Sequence, residues 1–434
     1  MTRRVAWPVA VMASGIVALA LFATLYLADR QLYFAILTGW GIEPFRFPFL
    51  DTHAVLSALE CTRRGFDTYL YNPCDVLTRA FVYSPMILSV AAFLPVTVAW
   101  DNWVGLVVAA IFFLGVASLP APRGARAWTM MALAGFSTMS VYALERGNID
   151  IVIFALVVLA GHLMVRGRVA RAVGYGAILF GACLKYYPII ALIATLKESP
   201  RRFFVVVAAS IAILALFVVH YRHGLAEAFN LVPYGSFFTD LFGAVNLPFG
   251  LAHLLSPVRT EFSGGGAFLD VFPWLILVVM FVTAVRQATV FAGSLPSLSA
   301  LPPAEAVFLV LGATIIVGCF FAGQNVDYRG IYFLLVLPGL LRLSRDQTCR
   351  RAAVMILFLM WGEMFFEVLR DLTFANSEAM HLLKIARVVF WFVRELIWWR
   401  VIAVLGGVVL GFVAQSEMGQ WAMAQCTVAR RVPR

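Results

Sequence analysis

The sequence predicts an all-α membrane protein, a polytopic helical bundle crossing the bilayer about ten to thirteen times, and three observations predict it. Hydrophobic residues make up 62% of the 434 and charged residues only 13%, whereas soluble globular chains carry roughly 45–50% apolar and about 25% charged residues. The apolar excess recurs along the whole length, in stretches close to the roughly 20 residues that one crossing needs. The alternating short segments of an outer-membrane barrel are absent, so the spanning elements are helices, which satisfy their own backbone groups in lipid.

The expected spans follow in order. Val5–Leu27 is uncharged and longer than a signal-peptide core, so it reads as a retained first helix behind Met1–Arg4. Phe81–Ala99, Trp103–Leu119, Thr129–Leu144 and Ile149–Val165 come next, then a Pro-broken pair at Val173–Leu184 and Pro188–Leu196. Phe203–His220, Ala267–Val285, Ala304–Phe321, Ile331–Leu341, Ala353–Leu369 and Ile397–Ala414 complete the set.

The net charge is +10, but the arginines sit between apolar segments and mark cytoplasmic loops under the positive-inside rule; they do not form a nucleic-acid patch. Arg3-Arg4, Arg201-Arg202, Arg342–Arg351 and the basic C-terminus are thereby placed inside, and residues 28–79, 222–266 and 323–330 outside. If Arg123/Arg126 and Arg166–Arg171 are both inside, Glu145–Asp150 is a tight outer turn. The two apolar segments before Arg123 must then cross an odd number of times. Either one of them is re-entrant or Arg123/Arg126 lie outside.

The break at Lys185-Tyr186-Tyr187-Pro188 lies between Arg171 and Arg201, both expected inside. Two half-helices therefore rise and fall, with Lys185 near the outer side. Broken helices at membrane depth are tolerated where they line protein or a water-filled cavity, which predicts a cavity on the outer half of the bundle. The stretch 44–85 departs from the spanning pattern, and Leu56, Leu59 and Phe66 among polar residues suggest interfacial amphipathic helices there. Cys61 and Cys74 share this loop, where a disulfide would close about 14 residues and stabilise by roughly 3 kcal/mol.

Asp51 just after the first helix, G65-F-D-T-Y69, Y83-S-P85, E145-R-G-N148-I-D150, R166-G-R168, G174-x-G176 and L184-K185-Y-Y-P188 follow in that order up to Arg201-Arg202. This layout resembles the GT-C superfamily of glycosyltransferases, and more narrowly the family-87 group of polyprenyl-phosphate-mannose-dependent mannosyltransferase-like proteins. The match is densest over residues 51–202. The resemblance implies a single integral membrane domain, 1–434, with a catalytic module over 1–202 and a variable helical module over 203–434. It also implies inverting transfer of a sugar, with mannose suggested, from a polyprenyl-phosphate donor to an envelope glycan or glycolipid. The setting expected is a bacterial inner membrane with the active site on its extracytoplasmic side.

The resemblance points to a carboxylate of the first outer loop as base, and the chemistry agrees: a sugar hydroxyl is a poor nucleophile, and a carboxylate in reach must take its proton. Asp51 is the expected base; a plain helix N-cap is its alternative. Lys185 is expected on the donor phosphate, since a lysine between apolar half-helices needs a partner or a cavity. Arg329 could clamp phosphate through its planar fork, or pair with Asp327. Arg146, Asn148 and Asp150 form a compact polar turn, and His53, Asp67, Tyr69, Asp327 and Tyr328 complete the donor and substrate set.

Glu363 and Glu367 stand four apart on an apolar helix and should pair inward with Arg387 or Arg394. The expectation is no cofactor, no metal and no ATP site, as there is no P-loop run. The loop 222–266, with Phe237, Phe238, Asn246 and Gly264–Gly266, is expected to act as a mobile cover. The competing function is a flippase or transporter of lipid-linked sugar, which would share the lipid groove but need no base.

Overall fold

The computed structural model describes residues 2–231, 235–259, 266–295, 298–375 and 380–429. Gly264 and Gly265 of the expected cover, and the basic residues after Ala429, lie outside the described residues. Eight helices among the described residues are long and apolar enough to cross a membrane. Two shorter apolar helices, Ile149–Met164 and Tyr187–Lys197, accompany them.

The first helix, α1 (Thr2–Ala28), is followed by α2 (Arg30–Gly39), α3 (Leu50–Arg63) and α4 (Pro85–Ala91). The expected crossing at Phe81–Ala99 does not form: α4 is seven residues long, and the chain turns before a 3-10 turn at Val98–Trp100. Arg63, in the last turn of α3, donates to the carbonyls of Ala92 (3.3 Å), Leu94 and Val96 (2.6 Å), holding this turn against α3. One helix, α5 (Asp101–Ser118), then crosses. The odd count the arginines required is met by α5 alone, which puts Arg126 at the same end of the bundle as Arg171.

From there α6 (Ala125–Gly135) and α7 (Thr138–Arg146) return to the α3 end, and α8 (Ile149–Met164) and α9 (Arg168–Leu184) make a tight pair. The Pro188 half-helix is a 3-10 segment, Tyr187–Lys197, and it packs against α9 and α13 (Pro303–Ala322). Lys185 thus lies at the end of the bundle that holds α3, as the flanking arginines implied.

In the second half, α10 (Pro200–Asn230) kinks at Tyr221, and the region expected as a long loop carries α11 (Asn246–Arg259). A two-residue strand β1 (Leu241–Phe242) pairs antiparallel with β2 (Asn325–Val326). α12 (Gly266–Ser294), α14 (Phe333–Arg342), α15 (Gln347–Ala375), α16 (Met380–Gln415) and α17 (Glu417–Ala429) complete the chain. The core is apolar throughout, centred on α13, α14 and α16, where Phe308, Phe320, Phe333 and Trp398 are fully buried. Trp398 stacks on Phe242 with centroids 4.4 Å apart, tying β1 to the core.

Cys61 and Cys74 form a disulfide, with Cα atoms 5.7 Å apart. It anchors the loop carrying Asp67 and Tyr69 to α3. Replacing both cysteines by serine is expected to destabilise this loop by about 3 kcal/mol. Limited proteolysis of residues 64–80 should then be faster; an unchanged cleavage rate would contradict the crosslink.

Candidate active site

The site grows from the corner between α7 and α8. Gly147 ends α7 with φ +56°, a left-handed conformation that glycine adopts without Cβ strain. A Cβ here would fall 2.4 Å from Thr52 Oγ1, and Thr52 donates to the Gly147 carbonyl at 2.8 Å. Phe49, just before α3, sits at φ +65°. Its amide donates to the Glu145 carbonyl at 2.6 Å, and its ring lies against Gly105 and Gly147. A bulky residue stays in that region only when its surroundings over-determine it. These contacts lock the start of α3 against the α7–α8 corner and bring Asp51 to Asn148.

Asp51 is the second residue of α3 and does not cap it; Phe49 occupies that position and makes no side-chain cap. Instead Asp51 Oδ2 accepts from Asn148 Nδ2 at 2.5 Å. The Asn148 amide is oriented by its other partners: Oδ1 caps α8 by accepting from Asp150 N (2.8 Å) and also accepts from Lys185 Nζ (3.2 Å). With Oδ1 engaged by two donors, the NH2 group must face Asp51.

Behind Asn148 lies Asp150, fully buried. Its Oδ1 takes the Lys185 ammonium at 2.9 Å and the Tyr187 hydroxyl at 2.9 Å, while Oδ2 takes Arg329 Nε at 3.4 Å. The Tyr187 and Tyr332 hydroxyls are 2.6 Å apart, and Tyr332 also donates to the Asp150 carbonyl. Arg329 donates to Asn325 Oδ1 and lies 4.9 Å from the centre of the Tyr187 ring. Lys185 lies over the rings of Tyr83 (5.1 Å) and Tyr328 (5.6 Å). The carboxylate and the aromatic faces both favour a cation at these positions, against the cost of partial burial.

Half-buried side chains of Asp51, Arg79, Tyr83, Arg146, Lys185, Tyr328 and Arg329 surround this buried floor of Asn148 and Asp150. Burial raises the Asp51 carboxyl above its ordinary range, while Arg146, the Asn148 hydrogen bond, Lys185 and Arg79 pull it down; burial prevails. Asp51 forms no ion pair among the described residues. The nearby cations polarise it without bonding to it.

The structure therefore brings together Asp51, Arg146, Asn148, Asp150, Lys185, Tyr328 and Arg329. The remaining expected residues lie elsewhere. His53 is buried and pairs through Nδ1 with Asp101 at 2.6 Å, fixing α3 to α5. Asp67 accepts from Tyr69 N in a turn (3.1 Å), and Tyr69 donates to the Tyr83 carbonyl (3.1 Å), so both act on the site only by placing Tyr83. Asp327 does not pair with Arg329. It belongs to a neighbouring buried cluster around Arg394, which binds Glu363 (2.8 Å), Glu395 (3.2 Å) and the carbonyl of Thr239 (2.9 Å). Glu363 thus finds Arg394, whereas Glu367 pairs with Arg370 on its own helix.

Arg79, Tyr187 and Tyr332 were not among the expected site residues. Arg79 is anchored by Asp75 at 2.7 Å, and its i,i+4 spacing from that acid is the one signal for it in the sequence. One cavity lined by Arg126, Arg350, Arg351 and Arg400 and another lined by Arg168, Glu198, Arg201 and Arg202 lie at the arginine-rich end of the bundle, away from Lys185. Among the described residues, no three or more His, Cys, Asp or Glu are grouped to hold a metal ion. The chain matches no protein-family model, no curated protein and no solved structure.

Proposed function

We propose that the protein is an inverting glycosyltransferase that moves a sugar, mannose by the resemblance, from a polyprenyl phosphate to an envelope glycan or glycolipid hydroxyl. The observation that supports this best is the pairing of a carboxylate free of ion pairs, Asp51, with two cations, Lys185 and Arg329, that share one buried counter-ion. The positive-inside rule puts the arginine-rich end in the cytoplasm, so this site faces the extracytoplasmic side in the proposal.

In the reaction, the acceptor oxygen attacks the anomeric carbon and bonds to it. The carbon–oxygen bond to phosphate breaks with its electron pair, and polyprenyl phosphate leaves as an anion. Asp51 takes the hydroxyl proton as attack proceeds. Lys185 and Arg329 hold the phosphate where its negative charge grows, which is where fixed charges lower a barrier most. Asp150 keeps those cations in place, and Asn148 keeps Asp51 pointed at the acceptor.

The test is transfer from radiolabelled polyprenyl-phosphate-mannose in membranes carrying the protein. Label moving from the lipid-phosphate fraction into glycan or glycolipid supports the proposal. Label that only changes leaflet, still on its lipid, supports the flippase reading, for which buried ion pairs between broken helices are equally suited.

A pH profile follows from the same geometry. A base must be deprotonated to act, so transfer should rise with pH through the Asp51 titration. That limb should lie above the ordinary aspartate value of about 4, because burial raises this carboxyl. A limb at or below the ordinary value would contradict the assignment of Asp51 as base.

A further inference from the structure

At the opposite end of the bundle, Arg126 at the start of α6, Thr348, Arg350 and Arg351 in the first turns of α15, and Arg400 on α16 converge on one cavity of about 370 Å³. Val354 and Met355 form its apolar side. Four arginines from α6, α15 and α16 thus line one concavity, and no carboxylate among the described residues lines it. Asp346, four residues before Arg350, caps α15 by accepting from Cys349 N at 2.9 Å. Arg400 donates to the neutral amide of Gln287 and forms no ion pair among the described residues.

The second cavity at this end shows what a self-satisfied arginine cluster looks like. It is lined by Arg168, Arg201 and Arg202 together with Glu198. Glu198 accepts from Arg171 Nη2 (3.1 Å) and Tyr175 (3.0 Å) and lies 3.8 Å from Arg202. There the positive charge has an internal counter-ion. Around Arg126, Arg350, Arg351 and Arg400, all exposed, no carboxylate forms an ion pair among the described residues, and an anion joining them would relieve their mutual repulsion.

The geometry points to a binding site for a phosphate-bearing anion, a phospholipid headgroup, seated among Arg126, Arg350, Arg351 and Arg400 with its acyl chain running along Val354 and Met355. Guanidinium forks match phosphate oxygens bidentately, and basic pockets between membrane helices take anionic headgroups. The exposed side chain of Val354 continues the apolar path away from the arginines. Such a ligand would tie α6, α15 and α16 together at this end.

The test titrates the purified full-length protein in neutral detergent with phosphatidylglycerol, phosphatidylcholine and inorganic phosphate, and reads bound copies by native mass spectrometry and melting temperature. Phosphatidylglycerol should bind and raise the melting temperature, with phosphatidylcholine much weaker. Two variants, Arg350→Gln/Arg351→Gln and Arg126→Gln/Arg400→Gln, should each weaken binding by about tenfold or more, the loss expected for charge-assisted hydrogen bonds. Drawing the pairs from different helices guards against one of them misfolding. Equal stabilisation by inorganic phosphate, lost in both variants, would keep the site and assign it a soluble phosphate. Binding unchanged in both folded variants, or equal for the two lipids, would overturn the proposal.

Discussion

Membranes carrying Asp51→Asn are expected to transfer sugar about 10²- to 10⁴-fold more slowly than wild type at equal abundance, the range a lost general base produces. The substitution keeps the shape of the side chain and still lets Asn148 donate to it, so the fold should be intact. Only the ability to take a proton is removed. Asp67→Asn provides the contrast, since Asp67 serves a turn and reaches the site only through Tyr69 and Tyr83. Its transfer should stay near wild type. If Asp51→Asn kept full activity while Asp67→Asn lost it, the base would have to be reassigned.

The second large effect concerns stability. Asp150→Asn leaves Lys185 and Arg329 facing one another without their shared counter-ion, at a fully buried position that water reaches only from the side of the two cations. Removing one partner of a buried ion pair costs about 3–5 kcal/mol, and here two cations lose the same partner. The expected result is a markedly lower melting temperature in detergent and a loss of transfer. Adding Lys185→Met to Asp150→Asn should restore part of the stability, because one of the two uncompensated charges is then removed and only Arg329 is left without its carboxylate, but none of the activity. A double variant no more stable than Asp150→Asn alone would show that the two residues do not depend on each other. An unchanged melting temperature in the single variant would remove Asp150 from the centre of the site.

Much of the site's position was legible in the chain. Lys185 between two apolar half-helices, with arginines beyond both, had to lie at the end opposite those arginines, because the chain cannot end a crossing in lipid. Asn148 and Asp150 flank Ile149 at the start of a helix, where a polar cap is required, so the turn itself was visible. What was not legible was the partnership. Asp327 and Arg329 are two residues apart and were equally readable as a pair, but they lie on a 3-10 turn. At about 120° per residue, they point to different sides, so Arg329 turns to Asp150 and Asp327 turns to the Arg394 cluster. His53 is similar: its closeness to Asp51 in sequence suggested a shared site, whereas on the helix it faces Asp101.

Composition and charge alone determined that this is a helical membrane protein with most of its arginine clusters at one end, because burying so many apolar residues and so few charges has no other solvent than lipid. They also determined that the first loop and the Lys185 break share the other end. Only the tertiary structure decided that α4 turns back and α5 crosses alone, that Asp51 is held by an amide rather than by a cation, and that one carboxylate serves both Lys185 and Arg329. The physical reason is that spanning depends on the average polarity of about twenty consecutive residues, which a sequence states outright. A hydrogen bond depends on where two side chains arrive to within a few tenths of an ångström, and that is fixed by contacts such as Phe49 on Gly105 and Gly147, distant in sequence.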